Sequence, residues 1–259
     1  MGRKRRMGPQ APQPDGREHA AVENKAEFIP SLFDHIAPHY DLMNMVMTAG
    51  VWRVWQRAFR TSADIAAGSR VVDVGCGTAE LSLIMADMLG PKSEIVGIDI
   101  SPKMLDVGRR KVAASPAAGR VELLEGDALA LPFPENSFDA AASAWVMRNV
   151  ADLDRALREM ARVVRPGGRV AIMELSHPPR TFWMLPYLFY FRRVLPLLGG
   201  WAVRAGLPVA PYAWLPKSLE TFPGAEALAE RMRAAGFSDV RFRRITAGIV
   251  CLHTAAVPR

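Results

Sequence analysis

Residues 70–74 read Arg-Val-Val-Asp-Val and end at Gly75-Cys76-Gly77, and Leu81, Ile84, Met85, Met88 and Leu89 then fall at helical spacing before a Gly90-Pro91 stop. A short β-branched run that closes on glycines and opens a helix is a β-loop-α unit. The pattern repeats along the chain. Glu94–Ile98 is a second strand, Ser101 an N-cap with Pro102 in the first helical position, the helix runs to about Ala114, and a strand follows near Val121–Leu124. Phe138–Ala144 reads as a buried strand. Asp152 caps a helix with Leu153, Ala156, Leu157, Met160 and Val164 on one face, and Gly167-Gly168 is expected to end it ahead of a strand over Arg169–Leu175. Strands alternating with helices imply an α/β, doubly wound, mostly parallel sheet.

The last part of the chain changes the pattern. Ala225–Ala235 reads as a helix ending at Gly236, and the short Thr246-Ala247-Gly248 connection makes Val240–Ile245 and Ile249–Thr254 antiparallel partners. Residues 28–68 read as a helical N-terminal cap, so seven strands with an antiparallel last strand are expected in one domain over residues 28–259. Residues 181–218 form an insertion. Nine of the chain's 21 aromatics lie between residues 181 and 215, interrupted by Arg192, Arg193 and Arg204. Such a segment suits a pocket lid, a subunit contact as in a homodimer, or a surface lying on a bilayer.

Net charge is +7, but residues 1–19 carry Arg3, Lys4, Arg5, Arg6 and Arg17 against Asp15 and Glu18, a net +3. The basic arm over residues 1–27 has no apolar core like that of a signal peptide and reads as a solvated, disordered terminus. The rest shows no basic stripe interleaved with aromatics, which argues against nucleic acid. No run reaches the roughly 18 uncharged apolar residues of a membrane-spanning helix. With only Cys76 and Cys251, a disulfide scaffold and a cysteine metal centre are both excluded, and a cytoplasmic setting is expected. No metal site is expected.

In doubly wound sheets the ligand sits beyond the carboxyl ends of the strands. Gly75 and Gly77 permit close backbone approach, but a dinucleotide fingerprint demands a third glycine where Glu80 stands. Asp73 inside the strand suits a ligand with an amino acid end rather than a pyrophosphate. Asp99 follows Gly77 by 22 residues at the end of the second strand, where a carboxylate accepts both hydroxyl protons of a ribose. Asp127, beside Ala128 and Leu129 at the end of the third strand, is placed to accept from an adenine amino group; the alternative is a generic acidic loop. The three sites in order indicate S-adenosylmethionine.

Six segments then resemble one family: FDHIAPHYDLMN (33–44), DVGCGTAE (73–80), RNV (148–150), RVVRPGGR (162–169), PYAWLPKSLETFPG (211–224) and AGFSDVRFRRITAGIVCLH (235–253). Together they resemble the menaquinone and ubiquinone biosynthesis C-methyltransferases, over some 230 residues. That family commonly carries Phe-Gly-Leu ahead of Arg-Asn, where Trp145, Val146 and Met147 stand here. The resemblance implies a Rossmann-like fold, S-adenosylmethionine as cofactor, and methylation of a ring carbon in a prenylated hydroquinone. Demethylmenaquinol is the expected acceptor, through the Thr78-Ala79 variant of the loop, with a ubiquinol precursor as the alternative. A polyprenyl substrate implies peripheral contact with the inner face of the membrane.

The resemblance also implies roles. Gly75, Gly77, Thr78, Asp99, Asp127 and Ala128 bind the cofactor, with Tyr40 as a cover over it or as core packing. Arg148 and Asn149 orient or stabilise the phenolate oxygen, against the alternative that Arg148 pairs with an acid such as Asp152. Tyr212 and Ser218 contact substrate. His253 is a base, relying on a neutral imidazole, or a structural residue of the closing strand. Rival functions are methylation of another lipid or small molecule, methylation of RNA, and a non-catalytic cofactor-binding subunit of a quinone-biosynthesis assembly.

Overall fold

The computed structural model describes residues 25–48, 50–178 and 210–259. The expected basic arm, apart from its last residues, and most of the aromatic insertion, including Trp183, Phe189 and Phe191, lie outside the described residues. Three helices, α1 (Lys25–Ile36), α2 (Tyr40–Thr48) and α3 (Trp52–Ser62), precede the sheet, and a non-helical connection fills residues 63–69. Then come β1 (Arg70–Val74), α4 (Glu80–Leu89), β2 (Glu94–Asp99), α5 (Pro102–Ala113), β3 (Val121–Glu125), β4 (Phe138–Ala144), α6 (Leu153–Val163) and β5 (Val164–Leu175). Helices α7 (Ala210–Glu220) and α8 (Ala225–Ala234) lead to the closing pair β6 (Ser238–Ile245) and β7 (Val250–Ala256).

The seven strands lie in the order β3-β2-β1-β4-β5-β7-β6. β1 pairs in parallel with both β2 and β4, and only β7 runs against its neighbours β5 and β6. This is the mostly parallel sheet with an antiparallel last strand that the sequence implies. Parallel strands covered on both faces require apolar side chains all along, and Val71, Val72 and Val74 are wholly buried. β4 crosses the middle with Ala140, Ala141 and Ala142, whose small side chains let layers pack close on either face.

The caps at Ser101 and Asp152 form as expected, each side chain accepting from the N–H three residues on, at Met104 (3.2 Å) and Arg155 (2.9 Å). Helix α6 buries Ala156, Leu157, Met160 and Val163, and a large side chain such as Leu157 contributes about 1.5–3 kcal/mol by leaving water. The expected stop at Gly167-Gly168 is corrected. The helix ends at Val163, and Val164 already pairs with Phe138 in the sheet. The glycines serve a bulge between that pair and the next, where a Cβ on Gly168 would meet the Asp139 carbonyl oxygen at 2.6 Å.

Candidate active site

A cavity of about 760 Å³ opens at the carboxyl ends of the strands. One half is built by backbone. Gly75 (φ +74°) turns the chain off β1, and its N–H and that of Cys76 both donate to the Ile98 carbonyl (2.7 and 2.9 Å). A Cβ at Gly75 would lie 2.3 Å from a Val146 methyl, so glycine is required by space as well as by φ. The Gly77 N–H donates to Asp99 Oδ2 (2.8 Å) and the Ser101 N–H to Asp99 Oδ1 (2.9 Å), fixing the carboxylate at the end of β2. Burial pushes the Asp99 carboxyl above its ordinary range, against the pull of those donors. Asp127 is exposed and accepts the Leu129 N–H (2.8 Å). Ile100, Met104, Ala128 and Leu129 supply apolar walls around these acids.

The N-terminal helices close over this half through polar ties. The Asp34 carboxylate accepts from Ser101 Oγ (2.6 Å), and Asp41 accepts from Thr78 Oγ1 (2.7 Å) and from Lys111 Nζ (2.9 Å), which also pairs with Glu80 (2.9 Å). Tyr40 lines the cavity with its ring edge-on to Phe33 at 6.1 Å, and burial raises its hydroxyl above the usual phenol range, so it stays protonated near neutrality. Asp73 points elsewhere. It is fully buried, accepts from Ser82 Oγ (2.6 Å), leaves Oδ1 without a partner and does not line the cavity; desolvation raises its carboxyl to about 7.

The other half is built by side chains from distant elements: Trp52 and Trp55 of α3, Trp145 after β4, Leu175, Ile249, and Trp214 and Leu215 of α7. Trp145 sits in the left-handed region (φ +67°), a conformation that costs a non-glycine residue on the order of 1–3 kcal/mol. Its N–H donates to the Met173 carbonyl (3.0 Å), and its own carbonyl accepts from Arg148 Nη1 (2.8 Å) and Asn149 Nδ2 (3.2 Å). Its ring lies 5.2 Å from that of Trp55, tilted by 52°, and Trp55 Nε1–H donates to Thr246 Oγ1 (2.5 Å).

Arg148 and Asn149 both line the cavity, with Arg148 Nη1 and both side-chain polar atoms of Asn149 engaged by protein. Arg148 pairs with Glu174, which is 1% exposed and also accepts the Leu175 N–H (2.8 Å). The acid weighed for that pair, Asp152, caps α6 instead. Asn149 accepts from Trp214 Nε1–H (2.9 Å), tying α7 to the strand ends. Glu174 carried no signal in the sequence, because it stands inside an apolar strand.

Tyr40, Gly75, Gly77, Thr78, Asp99, Asp127 and Ala128 all reach the cavity. Two other residues do not. Ser218 is buried and donates to the Leu215 carbonyl (2.9 Å). His253 is buried on β7, donates from Nε2–H to the Ala225 carbonyl (2.9 Å) and packs on Phe242 at 5.4 Å; burial lowers its pKa. The base expected there is therefore displaced from the cavity, because position 253 faces α8 rather than the strand ends. The Tyr212 side chain lies outside the described residues.

A family model described as the ubiE/COQ5 methyltransferase family matches residues 20–257. The chain belongs to this family. A demethylmenaquinone methyltransferase of Symbiobacterium thermophilum is 40% identical over 246 residues, 94% of this chain and 98% of that protein. One from Thermus thermophilus is 42% identical over 227 residues, 88% of this chain and all of that one. Among solved structures, a SAM-dependent methyltransferase from Aquifex aeolicus shares the fold of this ubiE/COQ5 member, with TM-score 0.57 at 18% identity over 78% of this chain and 89% of that chain. Among the described residues no helix is long and apolar enough to cross a membrane, and no cluster of metal-binding side chains occurs.

Proposed function

We propose that this protein transfers a methyl group from S-adenosylmethionine to a ring carbon of a reduced, prenylated quinone, with demethylmenaquinol as the acceptor. The observation that carries this reading is the continuity of one cavity from the glycine loop and the two strand-end carboxylates into an aromatic and aliphatic half. The polar half fits the cofactor. Asp99 suits ribose hydroxyls, Asp127 an adenine amino group, and the loop over Gly75 and Gly77 leaves room for backbone contact with the amino acid end. When bound, S-adenosylmethionine supplies an electrophilic methyl on a sulfonium and departs as the neutral thioether.

The chain's own residues bind, align and exclude water. A hydroquinone that loses a phenolic proton carries electron density on its ortho carbon, whereas the oxidised quinone is electrophilic. With the donor held by the glycine loop and Asp99, a new C–CH3 bond would form as C–S breaks, and the ring proton would leave from the same carbon. Holding that carbon behind the methyl within an apolar half supplies proximity and low dielectric. The polyprenyl tail places the protein at a membrane surface, through its aromatic segment. The relatives' names, the apolar half and the strand-end acids together support this reading over the other substrates weighed above.

The experiment incubates purified protein with labelled S-adenosylmethionine and chemically reduced demethylmenaquinol in detergent, beside the oxidised quinone and a demethylated ubiquinol precursor. Label is expected in the reduced naphthoquinol alone. Cofactor binding with no transfer to any quinol would overturn the reading in favour of another substrate or a non-catalytic subunit.

A further inference from the structure

We propose that Trp145 and Trp55 form the wall on which the acceptor's aromatic ring lies, and that Arg148 and Asn149 are positioning residues that hold Trp145 rather than groups that touch the ring's oxygens. The proposal rests on the reading of the acceptor as a hydroquinone. Four observations converge. Both indoles line the cavity, with centroids 5.2 Å apart and planes at 52°, so together they present an angled aromatic surface. Trp145 is left-handed (φ +67°), and such outliers in a non-glycine residue persist only where surrounding structure over-determines them.

That over-determination is visible. The Trp145 carbonyl accepts from both side chains of the Arg148-Asn149 pair, and each of these is fixed by a second buried partner, Glu174 for Arg148 and Trp214 for Asn149. Trp55 is fixed in turn by Thr246. The hydrogen bonds of the motif thus converge on an indole backbone. An electron-rich planar ring gains from offset or edge contact with indole faces beyond simple burial, and an aromatic hydroquinone is the ligand class this wall takes.

The test uses the full chain and two ligands: demethylmenaquinol for turnover, and a tail-less 1,4-naphthoquinol whose binding is read by quenching of tryptophan fluorescence. Trp145→Phe is expected to keep the quinol KM within about threefold, and Trp145→Leu to raise it by about tenfold or more, with the cofactor Kd unchanged. Trp55→Leu is expected to weaken probe binding likewise, and it carries the test should Trp145→Leu fail to fold. Because Asn149 acts through Trp145, the double variant Trp145→Leu/Asn149→Ala is expected to be no worse than Trp145→Leu alone.

Additive losses would show that Asn149 acts on the acceptor by a route other than Trp145 and would overturn the positioning role. Unchanged quinol KM and unchanged probe quenching in both leucine variants would overturn the wall. If the parent binds the tail-less naphthoquinol at the indoles yet methylates no quinol, the functional reading fails while the wall stands.

Discussion

The two halves of the cavity are built in opposite ways. The half proposed for the cofactor is made by backbone and short acidic side chains leaving three neighbouring strands, β1, β2 and β3, with each contributing residue within a few positions of a strand end: Gly75 and Gly77, Asp99, Asp127. The half proposed for the acceptor is made by side chains reaching in from α3, the end of β4, α7 and the β6–β7 turn, held by contacts such as Trp55 to Thr246, 191 positions apart. One half is an absence of atoms that must be kept. The other is a set of atoms that must be held up. Adding a methyl should therefore damage the first, and removing a side chain the second.

The largest effect is expected from removal beneath the acceptor half. Glu174→Ala removes the buried carboxylate that pairs with Arg148, a loss of about 3–5 kcal/mol and on the order of 10 °C in melting temperature. Calorimetry checks it, and a melting point within a degree or two of the parent would show that the pair carries no structural weight. Addition to the cofactor half comes next. Gly75→Ala sets a Cβ against Val146 in a left-handed backbone and is expected to weaken S-adenosylmethionine binding by about 100-fold, with Val146→Gly in the same chain restoring part of it. Titration calorimetry of the three proteins decides this.

Asp99→Asn tests whether the halves are separable. It removes one charge that two backbone N–H groups hold at the end of β2 and is expected to raise the cofactor Kd by about 10–100-fold while leaving the quinol KM alone. Equal loss for both ligands would join what the geometry separates. The smallest effect is expected at His253. His253→Gln should leave turnover at pH 8 within about twofold, where loss of a general base costs about 10²–10⁴. Its effect falls on stability. The folded pKa lies below the unfolded value of about 6.5, so the neutral ring's contribution is complete above that pH and is lost as pH falls from there through the folded pKa. Parent and variant melting curves should converge in that acidic range, and parallel curves from pH 8 to 5 would refute the assignment.

Legibility follows the same division. The sheet, its antiparallel closing strand, both side-chain caps and the gathering of the glycine loop and strand-end acids at one cavity could be read because each depends on a few adjacent residues. The partner of Arg148 could not be read: Asp152 is four positions away and looks available, whereas Glu174 is buried on β5, inside a run whose apolar neighbours conceal it. His253 was misplaced for a related reason, since strand alternation gives two faces but not which face meets α8. The glycine pair at 167–168 looked like a helix stop, yet what it serves is a bulge against the Asp139 carbonyl, a contact with the neighbouring strand. Nothing local marked Asp41 and Lys111 as partners across 70 positions.

The bond between Trp55 and Thr246 has a consequence for synthesis on the ribosome. The strand ends proposed to hold the methyl donor have all emerged once residue 127 is clear of the exit tunnel, whereas β7, which flanks β5, and the turn that anchors Trp55 are translated long after them. A chain halted between those points holds the glycine loop and both strand-end acids but lacks the Thr246 partner of Trp55.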